Sequence, residues 1–248
     1  MRLKLLLAAM LMLVPLPALA DVTAHYSTGP DKVTVEAADN GDWRITIGGP
    51  LEMVILHRDG VDYIVMPDKD GTERVARADQ ALPIMTASAP MPDTSKMVFT
   101  ATPGAADMFA GYSGTRWTYG PEGKQPIELL LSADPRLAPV GVALRGLAEL
   151  VIDATGELLG PDALRRMLAG GTLIRLSAPD RDQLKPVVTL DTVSMDRIDP
   201  ARFALPGPVM SGADFVAMAA PRGPSRTVTV KVPNPTPPPP TGPGIIVD

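Results

Sequence analysis

Alternation of apolar and polar residues dominates the first part of the chain after residue 20. Residues 33–37 and 43–47 each alternate in this way, which is the period of a half-buried β-strand. Between them, Asn40 and Gly41 suit a tight turn that needs positive φ. Strand-like runs at 53–57 and 61–66 follow, and turn signals rich in Asp and Gly bound them. This spacing predicts an antiparallel β-meander.

The next segment, 78–96, predicts a loop with a short helix before Pro83. Pro83, Pro90 and Pro92 interrupt any long regular element there, because proline lacks a backbone N–H. Further strands are predicted over 97–100, 108–112, 116–119 and 127–131.

A long helix is predicted over about 135–153. Asp134 suits the N-cap and Pro135 the first helical position, although Pro139 gives an alternative start to the regular helix. One apolar stripe recurs at helical spacing along this segment and predicts packing on a sheet; it consists of Leu137, Val140, Leu144, Leu147 and Val151. A second, short helix is predicted from Pro161 to the stop at Gly170-Gly171, with closing strands at 173–176 and 187–195.

Both ends of the chain predict segments outside the folded domain. Residues 1–20 carry Arg2 and Lys4, then an apolar run too short to anchor in a bilayer, then Ala18-Leu19-Ala20. This is the pattern of a cleaved signal peptide. Residues 221–248 include the proline run 234–240 and predict a disordered tail, more typical of a spacer than of a recognition peptide. The domain between them is predicted over 21–220.

Composition narrows the compartment and the partners. Without the signal, 21 of the 23 basic residues remain against 28 acidic ones, a net charge of about −7. This charge argues against nucleic-acid binding, which needs a basic surface. The chain has no Cys, so Asp21 cannot be lipidated through a thiol. We therefore expect a soluble, unlipidated periplasmic protein with no integral membrane segment after signal removal.

No pattern for catalysis stands out. Gly111-Tyr112-Ser113-Gly114 lacks the final glycine of a nucleophile elbow, since Thr115 follows, and Ser113 is interpreted as a turn residue. His57-Arg58-Asp59 is interpreted as a hairpin turn. Metal and nucleotide motifs are missing from the sequence as well. The sequence thus predicts a non-enzymatic protein without a cofactor or a metal.

Two segments carry a resemblance to a known family. Gly111-Tyr112 precedes Arg116-Trp117, and the late segment 199–206 reads Asp-Pro-Ala-Arg-Phe-Ala-Leu-Pro. The order of elements around them, over roughly 22–210, resembles exported proteins of the LolA-like group, which includes periplasmic lipoprotein carriers. The resemblance implies a strongly curved antiparallel sheet, a half-open barrel, closed by helices over an apolar cavity that shields acyl chains.

The predicted fold is therefore α+β, with one long and one or two short helices on the concave face of that sheet. The predicted function is binding of a lipid or an acylated protein in an apolar cavity. Candidate lining residues, each equally at home in an ordinary core, are Trp43, Ile45, Trp117, Leu144, Leu147, Met167 and Phe203. Arg116 and Arg175 are candidate polar anchors, although on a strand each is more simply an outward, solvated side chain.

The alternative is a cell-envelope interaction protein with a filled core, whose proline-rich tail contacts a partner protein. A continuous cavity between sheet and helix favours ligand binding, and a solid interior favours the alternative.

Overall fold

A computed structural model describes residues 21–49, 52–87, 97–156, 160–180 and 183–219. These ranges form an α+β fold around one large, curved, mostly antiparallel sheet of twelve strands, with four helices. The strands are β1 (Val22–Thr28), β2 (Asp31–Ala37), β3 (Trp43–Ile47), β4 (Met53–Arg58), β5 (Val61–Pro67), β6 (Glu73–Arg77), β7 (Phe99–Phe109), β8 (Tyr112–Pro121), β9 (Ile127–Ser132), β10 (Thr172–Asp180), β11 (Gln183–Ser194) and β12 (Val209–Met210).

The sheet joins two antiparallel runs of strands. Its order is β12-β6-β5-β4-β3-β2-β1-β11-β10-β9-β8-β7. Strands β1 to β6 form the meander predicted from the alternation, and β7 to β11 form the second run. Pairing of β1 with β11 joins them, and β12 runs parallel to β6. The sheet does not close, because β12 and β7 lie at its opposite ends.

Two-residue turns set the register of two hairpins. Asp59 and Gly60 join β4 to β5, and Ala110 and Gly111 join β7 to β8; all four residues have positive φ, as type I′ turns require. The interpretation of Ser113 as a turn residue was wrong. Ser113 lies on β8, and its carbonyl accepts a hydrogen bond of 2.6 Å from Ser132 Oγ on the adjacent strand β9.

The helices are α1 (Ala78–Ala87), α2 (Ala138–Thr155), α3 (Pro161–Leu168) and α4 (Gly212–Ala219). A short 3-10 turn precedes α2, and the Asp134 side chain caps it by accepting a hydrogen bond from Arg136 N–H. Regular α-helix therefore begins at Ala138, just before Pro139, the alternative start that the sequence offered. The predicted helices near 135–153 and after Pro161 are both present.

Helix α1 corrects the prediction of a loop with a short helix before Pro83. The helix continues through Pro83 to Ala87, although proline removes one intrahelical hydrogen bond. Packing explains this continuation, because Ala78 and Ala81 are fully buried against Ile64 and Phe215. Residues 88–96, the rest of that predicted loop, lie outside the described residues.

The main hydrophobic cluster lies between α2 and both runs of strands. Val140 and Ala143 of α2 are buried against Val35 and Ile174, among other residues of the sheet. The buried Tyr26 hydroxyl donates a hydrogen bond of 2.8 Å to the Leu173 carbonyl. The packing of α2 and this hydrogen bond between β1 and β10 both stabilise the join between the two runs.

Both predicted terminal segments, the signal peptide at 1–20 and the tail at 221–248, lie outside the described residues. Within the described ranges, no helix is both long enough and apolar enough to span a membrane.

Candidate functional site

A groove of about 480 Å³ lies between α2 and strands β3 to β5. Helix α2 lines it with one face, on which positions three or four residues apart recur; these are Val142, Arg145, Gly146, Glu149, Leu150 and Asp153. A smaller hollow of about 210 Å³ shares Leu150 and Asp62 with it. The groove therefore continues toward the start of β5, where the ion-paired Arg77 and Asp79 also line the smaller hollow.

The sheet side of the groove is a row of three cross-strand neighbours. Trp43 on β3 pairs in register with His57 on β4, which pairs with Asp62 on β5. The rings of Trp43 and His57 stack at a centroid distance of 5.3 Å and an angle of 6°. His57 Nδ1 lies 2.7 Å from Asp62 Oδ1. The hydrogen bond to Asp62 fixes the His57 imidazole, and the imidazole in turn packs on the Trp43 indole. Contacts between neighbouring strands therefore hold this side of the groove in place.

Gly146 lets α2 approach this wall closely. A Cβ at position 146 would lie only 2.6 Å from Trp43 Cζ2, which is well inside van der Waals contact. Glycine is costly within a helix interior, by about 1 kcal/mol relative to alanine. The close contact between α2 and the Trp43 indole explains why a glycine occupies position 146.

Two carboxylates along the groove, Glu149 and Asp62, have hydrogen-bonding partners within the protein. Two other groove residues, Arg145 and Asp153, have no ion pair in the described ranges. Arg165 on α3 holds Glu149 through contacts of 2.8 and 3.0 Å, and His57 contacts Asp62. Arg145 is partly buried. Among the Lys and Arg side chains of the described ranges, it is the one that combines partial burial with the absence of an ion pair.

The structure distributes the predicted lining residues over three hydrophobic clusters. The main cluster takes Trp43, Ile45, Leu144 and Leu147, a second takes Trp117 and Met167, and a third takes Phe203. Of these seven, Trp43 alone also lines the groove. Trp43 is nevertheless only 3 % exposed, and Ile45, Met167 and Phe203 are likewise buried among packed neighbours.

The two predicted anchors, Arg116 and Arg175, lie together but away from the groove. Arg116 Nη2 and Arg175 Nη2 lie 2.7 and 3.1 Å from the same Asp107 oxygen. Glu128 lies 3.3 Å from Arg175 Nη2. Since the two cations share two carboxylates, this network across β7 to β10 is already neutral and offers no free charge to a ligand.

This network predicts a low pKa for Asp107. Hydrogen bonds from Arg116, the Met108 backbone and Arg175 lower the pKa of that carboxyl to about 2. Because the folded pKa lies below the unfolded value of about 3.9, the stabilisation is present above pH ~4 and is lost as pH falls through about 2. Carbon-detected NMR titration of the Asp107 carboxyl measures this pKa. Arg116→Gln should raise the pKa, Arg136→Gln should leave it unchanged, and a pKa near 4 in the native protein would contradict the network.

Arg145 and the His57–Asp62 contact were not predicted from the sequence. The sequence nevertheless contains a signal for Arg145 and another for the His57–Asp62 contact. Arg145 follows Leu144 directly and so flanks the apolar stripe of α2. The Asp59-Gly60 turn places residues 57 and 62 opposite each other, two pairs from the turn. Hairpin register alone would have brought the imidazole and the carboxylate together.

A second hollow, of about 500 Å³, lies between the β2–β3 turn and the segment after β11. Two of its four carboxylates, those of Asp21 and Asp42, are engaged within the protein. Asp21 accepts hydrogen bonds from the backbone N–H groups of Asp39 and Ile198, and Asp42 accepts one from Asp59 N–H. These contacts connect separate segments, so we interpret this hollow as structural.

Neither protein-family models nor curated proteins give a match to this chain. The case for a function therefore rests on the geometry of the groove.

Proposed function

We propose that this chain is a non-enzymatic periplasmic protein that binds a hydrophobic ligand, a lipid or the acyl chain of an acylated protein. The groove between α2 and the meander is the proposed site. The observation that carries the proposal is the apolar surface of Val142, which is half exposed, and of Leu150 on the helix side of the groove. The buried Trp43 ring, stacked on His57, supports this surface from the sheet side. The groove volume of about 480 Å³ lies within the range of about 300–1,000 Å³ typical of ligand sites.

Burial of apolar surface would supply the affinity. Each methylene removed from water contributes about 0.8 kcal/mol. Val142 is half exposed, so a bound chain covering it would bury protein surface as well as its own. An indole fixed by His57 loses little conformational entropy when a ligand binds, and such preorganisation favours affinity.

The resemblance to LolA-like carriers belongs to this proposal. We infer a half-open barrel with α2 on its concave face. We also infer that residues 1–20 are an export signal that directs the protein to the periplasm. The unclosed, curved sheet and the packing of α2 against both runs of strands support this architecture. The ligand would lie at the margin of α2 rather than in a closed interior, because Ile45, Leu144 and Leu147 pack together beneath the helix.

One observation favours the rival, an envelope interaction protein. The predicted lining residues fill three separate clusters, which is the filled interior that this alternative requires. The partner would then bind the proline-rich tail. The open groove beside Trp43 is what favours ligand binding over this alternative.

A neutral fluorescent probe, N-phenyl-1-naphthylamine, tests the site. We expect the native protein to bind it and Val142→Glu to weaken binding about tenfold, because a charge would then stand on the apolar wall. Val98→Glu is the matched control, since Val98 is exposed and lies outside the groove. Titration of probe fluorescence measures both variants.

Two results would contradict the proposal: an absence of probe binding by the native protein, or equal binding by Val142→Glu. Native mass spectrometry after gentle purification adds an independent measurement, in which co-purified lipid released on denaturation is the expected result.

A further inference from the structure

We propose that the groove takes a single-chain amphiphile with an anionic head, a carboxylate or a phosphate monoester, and that Arg145 binds this head. The inference rests on the proposed function and deepens it, because it names the class of ligand. It starts from the one partly buried cation of the described ranges that has no ion pair.

A partly buried guanidinium without an ion pair has lost part of its hydration with no carboxylate to compensate for it. Removing a charge from water without a partner costs free energy, and an anionic ligand would recover this cost. The planar guanidinium presents parallel N–H donors that match a carboxylate or a phosphate. Arg145 is therefore suited to an anionic head rather than to a neutral or cationic one.

The positions of the charged residues along α2 determine which way round the ligand binds. Arg145 Nη1 lies 3.3 Å from the place a Cβ on Gly141 would occupy, so its guanidinium folds back toward the start of the helix. Asp153 lies eight residues further on, about 12 Å at the rise of an α-helix. An anion is attracted at the Arg145 end and repelled at the Asp153 end, which places the head beside Arg145.

The apolar part of the ligand then follows from the remaining lining. From Arg145, the next groove positions on α2 are Gly146, against the Trp43 ring, and Leu150, which the smaller hollow shares. Glu149 lies beside this path but is held by Arg165. A single extended chain would run over Gly146 and Leu150 toward β5.

Competition against the bound neutral probe tests the inference. Dodecanoate, monododecyl phosphate, dodecanol and dodecyltrimethylammonium are compared at neutral pH, below their micelle concentrations. We expect native protein to bind the two anions about tenfold more tightly than dodecanol and the cation least, as a charge-assisted hydrogen-bonded pair predicts. The relative order of dodecanoate and dodecyl phosphate distinguishes the two head groups.

Arg145→Gln should abolish the preference for anions, so that the affinities for dodecanoate and monododecyl phosphate fall to about that for dodecanol. Arg145→Lys should keep part of the preference. Arg166→Gln is the control, because Arg166 on α3 is exposed and has no ion pair in the described ranges; it should bind as the native protein does.

The outcomes separate the two proposals. If native protein binds the probe but shows no preference for anions, or if the preference survives in Arg145→Gln, the assignment of Arg145 is wrong and the hydrophobic site stands. Equal loss of anion and dodecanol binding in Arg145→Gln would also overturn the assignment. If the native protein binds neither probe nor amphiphile, both proposals fail.

Discussion

Phe215→Ala is expected to lower the free energy of unfolding by about 3–5 kcal/mol, as removal of a large buried aromatic ring does. Phe215 on α4 is fully buried, and its neighbours Ile64, Ala76 and Ala81 are buried as well. Small alanines around the ring leave little side-chain mass to collapse into the cavity. Urea denaturation followed by circular dichroism measures the change.

Val209→Ala is the control for this prediction, because Val209 lies just before α4 but is exposed; it should change stability by less than about 0.5 kcal/mol. The result also bears on the domain boundary. If Phe215→Ala is as stable as the native protein, α4 is not part of the cooperative fold and the domain ends before residue 212. Leu150 packs against the same cluster, so a loosened α4 should also weaken probe binding in the groove.

Gly171→Ala is expected to destabilise the protein by more than about 3 kcal/mol, or to prevent folding, since backbone strain and a steric clash act together. Gly171 has a φ of +145°, a conformation that side chains disfavour. A Cβ there would lie 2.3 Å from the Ser132 carbonyl oxygen. Ser132 on β9 pairs with Thr172 on β10, so relief would require moving two central strands apart.

Gly207→Ala provides a matched substitution for comparison. Its nearest neighbour would be the Glu73 carbonyl oxygen at 3.8 Å, an ordinary contact, so stability should stay close to that of the native protein. Thermal unfolding of both variants, with soluble yield as a second measure, gives the comparison. Similar melting temperatures for the two variants would show that the approach of Gly171 to β9 is not required.

Local patterns were sufficient for most of the secondary structure. The meander from β2 to β6, the start of α2 and the stop of α3 at Gly170-Gly171 all follow from period, capping residues and turn residues. Helix α1 was misjudged at Pro83, because the helix is stabilised by distant packing partners such as Phe215. Helix α4 was missed, although Ser211 and Asp214 form a local capping pair at its start.

The candidate site was predictable only in part. Trp43 was among the predicted lining residues because it is a large apolar side chain on a clear strand. Arg116 and Arg175 were reasonable anchors by sequence, but both are paired with the two carboxylates of Asp107 and Glu128. An ion pair across strands has no signature in local sequence. Arg145 was overlooked because the lack of a partner is a property of the folded surroundings.

By itself, the sequence determined the periods, the turns and the capped helix starts, because these depend on residues within a few positions of one another. It also determined the charge balance and the absence of thiols. Tertiary structure alone decided that β1 pairs with β11, that Glu149 is held by Arg165, and that Gly146 lies against Trp43. Each of these joins residues far apart in the chain, and their contact depends on how the whole sheet and its helices pack.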